Sequence, residues 1–322
     1  MKLKNHKKVT LFGKHFSISK ILFICIAVFC STPFVSSPVA LAIGIIVAQI
    51  MDNPFSDISY KAIKWLLKIA VVGLGFGMSA HSAFEAGKSG FLFTMTSIGL
   101  TLTLGMFLGK LLGIDKKITQ LISSGTAICG GSAIAAISPI IKADSKQISV
   151  SIGIVFLLNS IALFVFPTIG HLFDLTQNQF GIWSAIAIHD TSSVVGVADV
   201  YGSKSLEIAT TVKLARALWI LPVSLIFAIV FKGNAKKIKI PYFIGVFIVA
   251  IIVNTYVPAI QPLSPYIVKL AKVALTLTLF LIGSSLTFQS LKTVGIRPLV
   301  LAISIWIFIS VTSLTVILQT VN

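Results

Sequence analysis

Residues 187–196 read AIHDTSSVVG and place a histidine, an aspartate and three hydroxyl side chains in a row. They separate two apolar runs, residues 180–188 and 194–198. Ionisable groups inside a bilayer are expensive and usually serve a solute or ion pathway. A histidine near neutral pH can carry a proton or donate a hydrogen bond to an oxyanion. The run therefore predicts a polar site, whose residues are His189, Asp190, Thr191, Ser192 and Ser193.

The aspartate also has a structural interpretation. Asp190 precedes a helical pattern that begins near Ser192, so its carboxylate can cap that helix by accepting backbone N–H bonds. Adjacent side chains on a helix diverge, so His189 and Asp190 do not form a catalytic relay by themselves. The sequence contains no HExxH motif, no GxSxG motif and no nucleotide-binding loop. We therefore expect a protein that is not an enzyme.

A second polar interruption covers residues 123–134, which read SSGTAICGGSAI. Glycines loosen a helix and expose its backbone groups. Within hydrocarbon, such a break is tolerated only where protein or a wet cavity surrounds it. The alternative is that small residues let two helices pack closely. The break adds seven candidate binding residues: Ser124, Gly125, Thr126, Cys129, Gly130, Gly131 and Ser132.

Two candidate cations follow one helix later. Lys213 and Arg216 are three residues apart and share a helix face. They can balance Asp190 or attract an anionic solute, for which a guanidinium fork is well suited. The alternative is snorkelling to the membrane interface. Asn159, in the middle of an earlier apolar segment, is a further polar candidate, although a helix–helix hydrogen bond explains it equally well.

The composition excludes an ordinary soluble protein. Of 322 residues, 56% are hydrophobic and 11% are charged, whereas soluble domains carry about 25% charged residues. The net charge is +17, but the basic residues lie mostly in short connections between apolar segments. That distribution is typical of membrane orientation signals and not of nucleic-acid binding. The three cysteines show no metal or disulfide spacing, so no cofactor or metal is expected.

Eleven apolar segments follow one another with no room for a soluble domain. A bilayer core of about 30 Å needs about 20 apolar helical residues. We predict an all-α, multi-pass membrane protein with about eleven transmembrane segments, ten plus one N-terminal. It would form one transporter domain over residues 1–322, with a basic cytoplasmic tail over residues 1–20. The segments are residues 17–34, 36–51, 61–80, 90–113, 117–141, 147–173, 180–202, 205–231, 240–258, 265–288 and 293–320.

The lysines predict which side each connection faces, because basic connections usually face the cytoplasm. The N-terminal tail, predicted to be cytoplasmic, carries Lys2, Lys4, Lys7, Lys8, Lys14 and Lys20. Alternation also places inside Lys61, Lys64, Lys110, Lys116, Lys117, Lys232, Lys236, Lys237, Lys239, Lys292 and Arg297. Lys142 and Lys146 fall outside if segment five crosses, and inside if segments five and seven both re-enter. The charges leave crossing and re-entry open.

A weak internal repeat connects the two halves. GIIVA at residues 44–48 resembles GVFIVA at 245–250, and LGFGMS at 74–79 resembles LIGSSL at 281–286. In both pairs the two copies lie an odd number of transmembrane segments apart. They would therefore run in opposite directions across the membrane. Inverted repeats around a central site are typical of secondary transporters. Chance similarity among apolar, glycine-bearing helices explains the pairs equally well.

Three motifs together resemble the sulfate exporter family of bacterial membrane proteins: residues 125–136 (GTAICGGSAIAA), 187–196, and 213–219 (KLARALW). The likeness covers the chain after the tail, although Ala215 and Ala217 replace expected hydroxyl-bearing residues. The family is similar to bile-acid sodium symporters and sodium/proton antiporters. This resemblance implies inverted bundles, discontinuous helices crossing at the bilayer midplane, and elevator-type alternating access. In that layout segments five and ten cross, which adds Gly283, Ser284 and Ser285 to the site.

We therefore expect a secondary transporter of the bacterial plasma (inner) membrane that exports a small oxyanion, such as sulfate or a sulfonate. The coupling ion would be H⁺ or Na⁺. The expected partners are the lipid bilayer, a small anionic solute and a second copy in a homodimer, without nucleic acid. Two alternatives stay open. One is a sodium- or proton-coupled carrier of another solute with Asp190 as the cation ligand, and the other is a membrane sensor or scaffold without flux.

Overall fold

Within the described residues the protein has fourteen helices and one pair of short strands. The computed structural model describes residues 8–11, 14–32, 34–51, 53–230, 242–285 and 295–321. Strands β1 (Lys8–Leu11) and β2 (Lys14–Ser17) pair antiparallel, with Lys8 opposite Ser17. This hairpin lies in the basic tail, and every other described element is a helix, as the all-α prediction expected.

The helices account for each of the eleven predicted apolar segments. In chain order they are α1 (Ile18–Cys30), α2 (Ser37–Ile50), α3 (Ser56–Gly75), α4 (Ala80–Leu111), α5 (Lys116–Ala127), α6 (Gly131–Ile137), α7 (Ser145–Leu172), α8 (Gln177–Ala187), α9 (Thr191–Tyr201), α10 (Ser203–Leu218), α11 (Ile220–Val230), α12 (Tyr242–Tyr256), α13 (Ser264–Gly283) and α14 (Ile296–Thr320).

Five helical runs among the described residues are long and apolar enough to cross a membrane. They are α4, α7, α10 together with α11, α13 and α14. Helices α1, α2 and α12 are apolar but shorter. A multi-pass helical membrane protein is thereby confirmed, and the count of eleven spans stays a prediction.

The chain divides into two compact units. The first comprises Met1–Gly77 and Val246–Ser290, and α13 packs there against both α2 and α3. Helices α2 and α13 touch backbone to backbone, since a Cβ added at Gly44 would lie 2.3 Å from Phe280 O. A Cβ at Gly283 would likewise lie 2.4 Å from Leu41 O, so this crossing requires glycine on both helices.

The second unit comprises Met78–Gly245 and Leu291–Asn322 and contains two helical hairpins. In the first hairpin, α5 and α6 fold back on each other, with Gly125 facing Ile134. The ends of this hairpin also meet, because Lys117 Nζ donates to Lys142 O at 2.7 Å. A straight broken helix would hold residues 117 and 142 about 37 Å apart at about 1.5 Å per residue. Segment five is therefore a hairpin whose two ends lie together, as its re-entrant alternative requires.

Segment seven forms the second hairpin. The Tyr201 hydroxyl at the end of α9 donates to Leu175 O, just before α8, at 2.6 Å. The Tyr201 ring also stacks on Phe180 with centroids 3.7 Å apart. Thr176 begins α8 through a capping box with Gln179. The base of this hairpin lies where α7 ends and α10 begins, whereas the base of the first lies where α4 ends and α7 begins. The hairpins therefore enter the unit from opposite ends.

The hairpin geometry removes the conflict over Lys142 and Lys146, because it brings both ends of segment five together. The end of the second unit at the base of the α5–α6 hairpin, here called the basic end, carries Lys110, Lys116, Lys117, Lys142, Lys146 and Arg297. At the other end of the unit, the described residues include the acidic and lysine side chains of Glu85, Lys88, Asp174, Asp199, Lys204 and Glu207. All the basic-end cations now fit one side of the membrane. The orientation lysines Lys2, Lys4, Lys7, Lys232, Lys236, Lys237, Lys239 and Lys292 lie outside the described residues.

The hairpin at segment five predicts that Lys116→Cys and Lys146→Cys react from the same side of the membrane. Both native side chains are exposed. The measurement is labelling with an impermeant maleimide in right-side-out and inverted vesicles, with all three native cysteines replaced by alanine. Lys204→Cys, at the other end of the unit, serves as the opposite-side control. Labelling of residues 116 and 146 from opposite sides would mean that segment five crosses.

Candidate functional site

The tips of the two hairpins lie against each other inside the second unit. Thr126 Oγ1 and His189 Nε2 share a hydrogen bond of 3.1 Å, and both residues are buried. Gly130, at the first tip, has a φ of +63°, which residues with a Cβ rarely adopt. A Cβ there would also lie 3.1 Å from Val155 Cγ1 and 3.4 Å from His189 Cβ. The two polar interruptions of the sequence thus form one buried centre.

The carbonyls at the end of α8 accept hydrogen bonds from side chains of other helices. Lys213 Nζ, from α10, donates to Ala185 O at 3.2 Å and to Ile188 O at 2.5 Å. Trp306 Nε1, from α14, donates to Ala187 O at 3.0 Å. The last carbonyls of a helix have no partner within it and carry the negative end of its dipole. These side chains therefore supply the donors that the interrupted helix lacks.

Arg216 joins the two hairpin tips. Its Nε and Nη2 donate to Ala127 O, at the end of α5, with distances of 2.8 and 2.5 Å. Its Nη1 donates to Ile186 O of α8. The side chain is 0% exposed, and its planar fork suits two carbonyls held in fixed positions. One guanidinium therefore caps the C-terminal ends of both broken helices.

These contacts differ from the ones expected of the two cations. The sequence suggested that Lys213 and Arg216 balance Asp190 or bind the solute. Lys213 has a charge–charge interaction with Asp190, but the hydrogen bonds of both cations go to backbone carbonyls. The physical reason is that a helix broken in an apolar interior leaves carbonyls that need donors, and each unpartnered group costs several kcal/mol in hydrocarbon. Direct contact of either cation with a solute stays a prediction.

Asp190 caps α9, as its structural interpretation predicted. Its Oδ2 accepts a hydrogen bond of 3.0 Å from Ser192 N and another from Ser192 Oγ. The residue is only partly buried, whereas His189 and Ser192 are fully buried. Asp190 is therefore an accessible carboxylate at the hairpin tips. Capping alone does not require its negative charge, because asparagine is as good an N-cap residue.

Unpartnered polar atoms mark the same centre. Asn159 Oδ1, from α7, accepts a hydrogen bond of 3.2 Å from His189 N. Asn159 Nδ2 and His189 Nδ1 are buried and have no hydrogen-bond partner among the residues that the structure describes. A buried donor left unpartnered costs about 1–3 kcal/mol. The two atoms are therefore available for a bound ligand or water.

Most of the predicted site residues belong to this centre. The hydrogen bonds above link Thr126, Asn159, His189, Asp190, Ser192, Lys213 and Arg216. The hairpin turns next to them hold Ser124, Gly125, Cys129, Gly130, Gly131, Ser132, Thr191 and Ser193. Ser132 differs from its neighbours in being exposed.

The break in segment five contacts segment seven, through the bond between Thr126 and His189. The crossing of segments five and ten that the family resemblance implies stays a prediction. Gly283, Ser284 and Ser285 belong to the first unit, where Asn53 Nδ2 donates to Ser284 Oγ at 3.1 Å. Sequence reasoning missed Trp306, although an indole in the middle of an apolar span signals a buried donor that needs an acceptor.

No group of three or more histidine, cysteine, aspartate or glutamate side chains suited to a metal ion occurs in the described part of the chain. The centre instead offers hydroxyl, amide and imidazole groups and one accessible carboxylate. Such groups can bind a small polar solute or a monovalent cation without changing its covalent structure.

Comparison with known proteins identifies relatives over nearly the whole chain. Residues 16–302 match the family model described as conserved hypothetical protein 698. A UPF0324 membrane protein of Photobacterium profundum is 48% identical over 309 residues, covering 96% of this chain and 95% of the relative. One of Bacteroides thetaiotaomicron is 48% identical over 286 residues, covering 88% and 87%. These names state a membrane location and no substrate. No solved structure gives a significant match.

Proposed function

The chain belongs to the UPF0324 family of membrane proteins, and on that premise we propose that it is a secondary transporter of a small oxyanion. Sulfate or a sulfonate is the proposed solute, and export is the proposed direction. The solute would bind at the meeting point of the two hairpin tips. Hairpins that end at a buried polar centre are the kind of interrupted helix that transporters use to bind solutes.

Two fully buried cations cap both broken helices, and this observation carries the proposal. Lys213 and Arg216 bind the negative C-terminal ends of α5 and α8. The positive N-terminal ends of α6 and α9 begin at the same tips, and the first turn of α6 has no side-chain cap. Because the cations offset the negative helix ends, the centre favours an anion. Asn159 Nδ2 and His189 Nδ1 supply buried groups for its oxygen atoms.

Asp190 supports coupling to a cation. An accessible carboxylate at the tips would repel a divalent anion unless a proton or Na⁺ accompanied it. We therefore propose that H⁺ or Na⁺ binds at Asp190 during transport. The same observation favours the second candidate function, a sodium- or proton-coupled carrier whose solute is not sulfate.

Several finer features of the proposal come from the sequence. The protein would lie in the bacterial inner membrane with its N-terminus and its basic end in the cytoplasm, because basic connections face that side. Inverted repeats, elevator-type alternating access and a homodimer are further parts of the proposal. The protein would carry out no covalent chemistry and bind no nucleic acid.

The test is uptake of radiolabelled sulfate into proteoliposomes, with and without inward or outward gradients of H⁺ and Na⁺. Protein-free liposomes and Asp190→Asn proteoliposomes are the controls. Saturable sulfate flux that a gradient drives would support the proposal. Flux of another solute, competed by neither sulfate nor sulfonates, would favour the second candidate. Absence of flux, together with no thermal shift on adding sulfate, a sulfonate or Na⁺, would leave a sensor or scaffold.

A further inference from the structure

Four consecutive carbonyls at the end of α8 each accept a hydrogen bond from a side chain of another helix. The acceptors are the backbone oxygens of residues 185–188, and the donors are Lys213, Arg216 and Trp306. Lys213 and Arg216 belong to α10, whereas Trp306 belongs to α14. The carbonyls in the last turn of a helix have no partner within that helix. The position of the residue that follows them therefore depends on donors from two neighbouring helices.

That residue is His189, and the indole ring of Trp306 lies beside its imidazole. The two ring centroids are 6.3 Å apart, with their planes inclined at 32°, which is within the range of aromatic pairs. Behind the indole lies Phe166, a buried residue of α7 whose ring centroid is 6.0 Å from that of Trp306. The hydrogen bond between His189 Nε2 and Thr126 Oγ1 holds another edge of the imidazole. The ring is thus held on two sides, and this fixes the position of its unpartnered Nδ1.

We propose that Trp306 is a positioning residue of the solute centre. Through its bond to Ala187 O and its ring beside the imidazole, it holds His189 so that Nδ1 is presented to the oxyanion. The inference rests on the proposed function, because it assigns Nδ1 to the solute. A displacement of about 1 Å in a functional group can cost about a hundredfold in rate. A residue that fixes His189 therefore affects solute binding without touching the solute.

Trp183 offers a matched control. Its Nε1 donates to Ser310 O at 2.9 Å, so it forms a second indole-to-carbonyl bond between α8 and α14. Trp183 precedes His189 by six residues, which is about 9 Å along a helix at about 1.5 Å per residue. Replacing either indole with phenylalanine removes one such bond between the same two helices. Only the bond of Trp306 adjoins the imidazole.

The experiment measures sulfate uptake by proteoliposomes as a function of sulfate concentration. We expect Trp306→Phe to raise KM about tenfold and to leave the maximal rate within about twofold, because a displaced His189 weakens binding and not the later steps. Trp183→Phe should keep KM within about twofold of the wild type. Trp306→Leu removes the ring as well as the N–H donor and should raise KM about a hundredfold. If Trp306→Leu does not fold, Trp306→Phe carries the test.

Backbone amide exchange tests the positioning role without transport. His189 N donates to Asn159 Oδ1 at 3.2 Å, and a loosened hairpin tip should open this bond more often. Hydrogen–deuterium exchange of the full chain in detergent, followed by mass spectrometry of a peptide spanning residues 186–192, is the measurement. We expect exchange about tenfold faster than the wild type in Trp306→Phe and unchanged in Trp183→Phe.

The two measurements separate failure of this inference from failure of the proposed function. Unaltered exchange in Trp306→Phe, or an equal increase in Trp183→Phe, would overturn the positioning role. Faster exchange together with an unchanged KM would overturn the role toward the solute and leave Trp306 as a packing residue. Absence of sulfate flux in the wild type, by contrast, would refute the proposed function itself.

Discussion

Arg216→Gln should abolish sulfate flux in proteoliposomes and lower the thermal unfolding midpoint of the protein by about 10 °C. The guanidinium makes three hydrogen bonds to the carbonyls of Ala127 and Ile186, all in a buried setting. A hydrogen bond from a charged group contributes about 1.5–3 kcal/mol, so leaving these two carbonyls without their donor costs about 4 kcal/mol. Because both hairpin tips share this one side chain, the centre loses its geometry together with its stability.

Measuring stability and flux together distinguishes a capping role of Arg216 from a role in charge balance. From the sequence alone, Arg216→Gln would be expected to yield a folded but inactive protein, since the arginine was assigned to charge balance. The capping contacts predict that Arg216→Lys recovers part of the unfolding midpoint but little flux, because one ammonium nitrogen cannot take the separate positions from which the guanidinium nitrogens reach the carbonyls of both hairpin tips. A midpoint unchanged in Arg216→Gln, measured by fluorescence-detected thermal unfolding, would contradict the capping role.

Asp190→Asn should reduce flux about a hundredfold while leaving the unfolding midpoint within about 2 °C of the wild type. Asparagine caps a helix about as well as aspartate, so the bond from Ser192 N is retained and the stability changes little. The carboxylate charge is lost, and with it the proposed binding of the coupling cation. The measurements are gradient-driven sulfate uptake and thermal unfolding on the same preparations.

Asp190→Ala is the matched variant for the capping role. It removes both the charge and the cap, so it should lose flux and also about 1 kcal/mol of stability. Ser192→Ala removes the hydroxyl partner of Asp190 and keeps the carboxylate, so it should retain measurable flux. Wild-type transport by Asp190→Asn would show that this aspartate is a helix cap only, and the coupling ion would then have to bind elsewhere.

The helices and the polar positions were largely predictable from the sequence. Every predicted apolar segment contains a helix, because about twenty consecutive apolar residues in lipid have few alternatives to helical structure. The glycine pair at Gly130 and the row from His189 to Ser193 were recognised because polar and flexible residues are costly in that setting. Asp190 was recognised as a potential helix cap from its position before a helical pattern.

The contacts of the cations were not predictable in the same way. Lys213 and Arg216 bind carbonyls that lie 25 to 89 residues away along the chain. Backbone carbonyls are the same in every residue, so no residue type marks which of them need a donor. The indole of Trp306 was a signal for a donor, but the sequence did not mark its acceptor, the carbonyl of Ala187.

The sequence by itself determined that the protein is a helical membrane protein with two interrupted segments and charged residues inside apolar segments. The reason is that hydropathy, and the free-energy cost of placing a polar residue in lipid, depend on the local sequence alone. The tertiary structure alone decided that segments five and seven fold back as hairpins, that their tips meet at Thr126 and His189, and that Gly283 belongs to the other unit. A break in a helix specifies a change of direction but neither its angle nor its partner. Those follow from which distant donors satisfy the exposed backbone, as Arg216 does for both tips.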